Sequence, residues 1–246
     1  MTTWYTGCPV CSGSCASLIT GQYHTRVGVP VVLMPSINNS LNLNETTSGQ
    51  QMKQAGHATA AVGKWHLGQR VMYLRGNRGF DAYLGIPYSV DMGDAAATNC
   101  TAEEPPSKRI LGAMGAYSTD AEHAAQFRSA GPAVGCSGFG PGYGCAPNFL
   151  PLVQMSPGKS SGKSNYTVLE RPVDLSKLSE TYDAFVSGPG GFLERNARSK
   201  TPFFLYWPFS HVLATSSLQP QPQFAGCAFH NASRRGFFED ALAEVD

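Results

Sequence analysis

The apolar positions of this chain fall into short groups, each bounded by glycine, proline or a polar run. Ser14 to Thr20 suits a short helix, and Gly21 stops it, because glycine readily takes the left-handed conformation that ends helices. A polar loop follows at roughly 35–45. Residues 47–55 predict a second helix ended by Gly56, and Ala58 to Gly63, small and apolar, reads as a buried strand. Between 76 and 93 the chain is loop-like but rich in aromatics. From about 94 to 165 Gly, Ser, Ala and Pro dominate without a strong period, which predicts a surface insertion. Leu175, Leu178, Tyr182 and Phe185 recur at helical spacing within 175–198, interrupted by Gly188-Pro189-Gly190-Gly191. Phe203 to Trp207 is a second apolar strand between Pro202 and Pro208, and 237–245 reads as a last helix.

That order of elements predicts an α/β fold with a mostly parallel sheet. Functional groups in such sheets gather beyond the carboxyl ends of the strands. Lys64 and His66 follow the first strand, and His211 follows the second. If the backbone stays extended past Gly63, residues two apart share a face. Lys64 and His66 then meet one ligand while Trp65 faces the core.

Composition narrows the classes of function. Over 246 residues, 18 Lys and Arg stand against 17 Asp and Glu, a net charge of +1. Such a balance offers no electrostatic reason to bind nucleic acid or an anionic membrane. Apolar residues make up 42% of the chain, enough for a real core, yet no run approaches the ~20 residues of a membrane span. No signal peptide is visible at the N-terminus, which lacks a basic and an apolar region. Sequons begin at Asn38, Asn44, Asn99, Asn165 and Asn231, and with 7 cysteines they point to the secretory pathway.

Cys11 stands just before the first predicted helix, where free N–H groups suit an anion or a thiolate. Read from its spacing alone, it is more commonly a buried or disulfide-bonded cysteine. Cys8, Cys11 and Cys15 form a cluster open to redox or metal chemistry, but Cys136 and Cys145 do not supply the second pair that a zinc site takes. Serine-hydrolase and nucleotide-binding motifs are absent from the sequence.

Cys11-Ser12-Gly13-Ser14-Cys15-Ala16-Ser17-Leu18-Ile19-Thr20-Gly21 resembles the sulfatase signature, Cys-x-Pro-Ser-Arg followed by a Leu-Leu-Thr-Gly-like run. Gly63-Lys64-Trp65-His66-Leu67-Gly68 resembles the second signature, and Gly79 to Ser89, Pro202 to Tyr206 and Gly236 to Asp246 are similar to arylsulfatase A-like enzymes. The resemblance implies an alkaline-phosphatase-like sulfatase N-terminal domain, helices on both faces of its sheet, incomplete at both ends, with residues 1–246 as a partial domain. It implies hydrolysis of a small-molecule or glycan sulfate ester, with Ca²⁺ as metal and a lysosomal or extracellular location. By position, Cys11 is the precursor of formylglycine, made by a formylglycine-generating enzyme. Lys64 binds sulfate and the aldehyde hydrate, and His66 hydrogen-bonds the hydrate. His211 is the sulfate-binding histidine after a two-residue slip, since the direct register puts Leu213 there. The departures from the pattern are Gly13 for the signature proline, Cys15 for the signature arginine and Val90 for another histidine. The Asp-Asp and Asp-Asn pairs that hold the metal in the family do not occur in this chain. Turnover by this chain is therefore expected to be impaired. The alternative is a non-catalytic relative that binds sulfated ligands.

Overall fold

The polar start of the first helix is set by backbone rather than by apolar spacing. In a computed structural model, which describes residues 3, 5–34, 39–69, 71–92, 150–156, 165–170, 173–211, 225–229 and 232–246, helix α1 spans Cys11–Thr20. Val10 is extended, and its carbonyl accepts the Ser14 N–H at 2.9 Å, so the helix begins at Cys11 rather than Ser14. Gly21 ends it at φ 69°. Helix α2 (Ser48–Gln54) opens with a reciprocal cap: Gln50 N–H donates to the Thr47 hydroxyl, and Thr47 N–H donates to Gln50 Oε1.

Five strands form one sheet. They are β1 (Ala58–Val62), β2 (Ala82–Gly85), β3 (Leu152–Ser156), β4 (Asn165–Glu170) and β5 (Phe203–Tyr206), in the order β4-β3-β2-β1-β5. β1 pairs in parallel with β2 and β5, while β3 runs antiparallel to both of its neighbours, so four of the five strands point one way. The aromatic-rich stretch read as loop contains β2, and the stretch without a period contains β3 and reaches the start of β4. Only four or five residues mark β2 and β3, too few for a period to show. Of the rest of the expected insertion, 94–149 and 157–164 lie outside the described residues.

Alternation along the strands divides the core in two. Val62, Leu84 and Leu152 face one side, where they meet Leu178, Tyr182 and Val186 of helix α3 (Leu178–Val186). Ala61, Tyr83, Val153 and Tyr206 face the other, against Ala16 and Ile19 of α1 and the buried Trp65. Helices therefore cover both faces. Gly188–Gly191 separates α3 from α4 (Phe192–Ser199), and α5 spans Phe237–Val245.

Beyond the carboxyl ends of the parallel strands the hydrogen bonding continues. Gly63 N–H donates to Leu84, Lys64 N–H to Pro208, Trp65 N–H to Ile86 and His66 N–H to Pro87, all at 2.9–3.0 Å. The segment after β1 is thus held between the extensions of β2 and β5. The fit leaves no room at Gly63, which has φ 99° and where a Cβ would lie 2.0 Å from the Pro208 carbonyl oxygen. Gly63→Ala is expected to lower unfolding stability by more than about 2 kcal/mol, since the Pro208 backbone must shift and the positive φ is strained for alanine. Chemical denaturation would show it, and an unchanged midpoint would refute the close approach.

Candidate functional site

The Lys64–His66 turn is buried: Lys64 is 8% exposed, and Trp65 and His66 not at all. Its backbone does not remain extended as expected, because His66 takes φ 56°, a left-handed value uncommon outside glycine. Two hydrogen bonds hold it there, the N–H to Pro87 and Nε2 to the Leu33 carbonyl at 2.9 Å. A carbonyl can only accept, so Nε2 carries the proton. Nδ1 is then a lone-pair acceptor, buried and without a partner among the described residues. Burial, reinforced by the Lys64 ammonium, lowers the His66 pKa to about 3, so the ring is neutral at working pH.

Leu33 joins this turn to α1. Its carbonyl accepts from His66, while its own N–H donates to the buried Ser12 hydroxyl at 3.0 Å. Ser12 and the His66 imidazole are thereby held on the N–H and the carbonyl of one residue, Leu33. One turn further along α1, the Cys15 thiol senses the Lys64 ammonium, the Cys11 thiol, the Tyr206 hydroxyl and the Arg75 guanidinium. Burial outweighs the cations and pushes the Cys15 thiol up, so it is protonated at neutral pH. The structure thus brings the Cys11 helix, Lys64 and His66 into one neighbourhood.

Arg75 is the feature that sequence reasoning missed. Its guanidinium is fully buried and donates to the Lys64 carbonyl at 2.5 Å and the Gly63 carbonyl at 3.4 Å. Its carbon lies 4.5 Å from the Tyr83 ring centroid, 4.9 Å from Trp65 and 5.4 Å from Tyr206. Ring faces stand where a carboxylate would ordinarily balance a buried charge. A basic residue in a stretch without period carries no signal of such burial; only the aromatics around it hinted at a cluster.

Gly13, at the signature proline's position, has a local cause. A Cβ there would sit 2.6 Å from the Cys8 sulfur and 3.2 Å from the His24 ring. The side chain of Cys8, itself buried, occupies that space. Cys8, Cys11 and Cys15 are all free thiols, whereas Cys227 is disulfide-bonded.

His211 has its described partners elsewhere. Its Nε2 lies 3.1 Å from Glu244 of α5 and 3.4 Å from the Ser179 hydroxyl of α3. Val90 is buried apolar core, and Leu213 lies outside the described residues. Among the described residues no group of three or more His, Cys, Asp or Glu side chains is placed to hold a metal ion. The charged side chains around Cys15 are cations, and a hard cation such as Ca²⁺ takes six or more oxygen ligands. The described residues therefore do not fit Ca²⁺.

Fold and site together define an α/β protein with a buried cluster of cationic and thiol side chains beyond the carboxyl ends of its parallel strands. The family model described as Sulfatase matches residues 1–130, and the chain belongs to the sulfatase family. It is 30% identical to human arylsulfatase A over 100% of this chain and 39% of that protein. It is 31% identical to mouse arylsulfatase G, over 96% of this chain and 37% of the relative. The chain thus spans about two fifths of the length of these relatives. Among solved structures, the PsFucS1 sulfatase from Pseudoalteromonas sp. matches with a TM-score of 0.56 at 18% identity, over 96% of this chain and 40% of that one. Ps i-CgsB in complex with k-i-k-neocarrahexaose matches with a TM-score of 0.54 at 17% identity, over 98% of this chain and 43% of that one. These likenesses establish the α/β alkaline-phosphatase-like fold.

Two outcomes follow from the geometry. The unfolded chain binds a proton at His66 near pH 6.5 that the folded chain refuses until about pH 3. Stability should therefore fall as pH drops through this window, by up to roughly 5 kcal/mol in total. The part between pH 6.5 and 5 lies above the carboxylate range, and denaturation midpoints of His66→Gln should lose that slope. Gly13→Ala is expected to cost about 1–3 kcal/mol by overpacking, and less in a Cys8→Gly background. Equal costs in the two backgrounds would show that Cys8 does not set the glycine requirement.

Proposed function

We propose that this chain engages the sulfate group of a small-molecule or glycan sulfate ester at the Cys11, Lys64 and His66 pocket. Hydrolysis of the ester then depends on conversion of Cys11 to formylglycine by a formylglycine-generating enzyme. Family membership supports the reaction class. The observation that carries the site is the double hydrogen bond of Leu33, which ties the first turn of α1 to His66.

Each residue has a task suited to its surroundings. Lys64 emerges from a turn whose backbone is anchored by Pro208 and Arg75, so its ammonium is pre-positioned to neutralise sulfate oxygens. His66 is neutral with a free lone pair on Nδ1, so it accepts a hydrogen bond rather than adding charge. A formylglycine at position 11 would supply an aldehyde hydrate as the nucleophile towards sulfur. Cys11 is partly exposed on the first turn of α1, which leaves it open to modification. His211 enters as a sulfate contact on resemblance alone, because its Nε2 is engaged by Glu244. Passage through the secretory pathway to a lysosomal or extracellular destination suits the exposed Asn44 sequon.

The replacement of the signature arginine by Cys15 favours a second reading, a non-catalytic protein that holds sulfated ligands. A thiol kept protonated by burial supplies neither the charge nor the fork of donors of a guanidinium.

One experiment separates the two. The chain is expressed in a secretory host, the peptide carrying Cys11 is weighed by mass spectrometry, and turnover and binding of an aryl sulfate are measured. Aldehyde with turnover supports hydrolysis; binding without turnover supports the second reading. In either case Lys64→Ala should weaken aryl sulfate binding by roughly tenfold, the loss of one charge-assisted hydrogen bond. Undiminished binding in that variant, or none in the parent, would remove the site.

A further inference from the structure

We propose that the thiolates of Cys11 and Cys15 form a two-coordinate site for a soft monovalent d¹⁰ cation of the Cu(I) class. This goes beyond the sulfate reading and concerns the chain that retains its thiol at position 11. Cys11 and Cys15 stand one helical turn apart on α1, both free and both partly exposed.

The spacing selects the chemistry. Cβ atoms four residues apart on a helix are about 5–6 Å from each other. A disulfide requires about 3.5–4.5 Å, so direct S–S bond formation would distort the first turn. Two metal–sulfur bonds of roughly 2.3 Å in line span about 4.6 Å, which rotation about the two Cα–Cβ bonds can reach. Thiolates favour soft ions such as Cu(I) over hard ones. Zinc takes four ligands, and no third His, Cys, Asp or Glu is placed to complete such a set among the described residues.

The charge balance points the same way. Binding releases two protons and leaves a bis-thiolate complex of net charge −1, with no change in oxidation state. The charges acting on Cys15 from outside α1 are the Lys64 ammonium and the Arg75 guanidinium, and Arg75 is compensated by rings instead of a carboxylate. A monoanionic complex is therefore stabilised where a bare cation, or one held by neutral ligands, is repelled. Cys15 occupies the position of an arginine in the family signature, so the substitution that weakens sulfate chemistry creates the second ligand.

The test uses the full chain, purified without oxygen and with its Cys227 disulfide intact. Cu(I) is titrated against a colorimetric Cu(I) chelator, and native mass spectrometry counts the metal. One copper per chain is expected, lost in Cys11→Ser and in Cys15→Ala but kept in Cys8→Ser. Circular dichroism confirms that each variant is folded. In the unaltered chain, bound copper should protect Cys11 and Cys15 from maleimide, a readout that needs no variant. Protein in which Cys11 is already formylglycine should bind no copper whether or not it hydrolyses an aryl sulfate, which keeps this proposal separate from the hydrolase reading. Copper retained without either cysteine, dependence on Cys8, equal retention of zinc, or no binding would each overturn it.

Discussion

The Lys64–His66 turn is placed by three backbones that come together where only a hydrogen atom fits. Gly63 lies against the Pro208 carbonyl, and Gly85 in turn lies against the Gly63 carbonyl, with 2.0 Å from a virtual Cβ to oxygen in each case. That approach lets the segment after β1 keep donating to both neighbours for four more residues. Lys64 and His66 thus sit on backbone as constrained as a strand, although the chain has left the sheet.

Electrostatics add a second layer. Arg75 and Lys64 place two positive charges near the thiol of Cys15, and neither is balanced by a described ion pair. Aromatic faces and the carbonyls of Gly63 and Lys64 make the guanidinium tolerable in the core. The same contacts stiffen the turn from beneath. Burial, by contrast, keeps the thiol and the imidazole neutral, so the cluster is positive without gaining protons at moderate pH.

The departures from the family signature now have physical content. Gly13 accommodates Cys8, and Cys15 replaces a fixed charge with a neutral thiol facing Tyr206. Position 90 is part of the apolar core rather than a polar site. Gly13 and Cys15 mark where the helix beside the Lys64–His66 turn departs from that signature.

Much was legible from the chain alone. Runs of apolar residues between breakers marked β1 and β5, and glycines marked the end of α2 and the α3–α4 break, because burial and turn chemistry act locally. The two signatures pointed to Cys11, Lys64 and His66 and to the family. Strands β2 and β3 and the role of Arg75 were not legible: short strands carry no period, and a buried arginine looks like any surface arginine until its rings are assembled around it. Which nitrogen of His66 is free was decided only in three dimensions, since it depends on Leu33, thirty-three residues away in sequence. So did the engagement of His211 by Glu244, which depends on where α5 docks. Local sequence specifies elements and the residues they carry; hydrogen-bond partners and buried charge depend on distant segments, and only the folded chain brings those together.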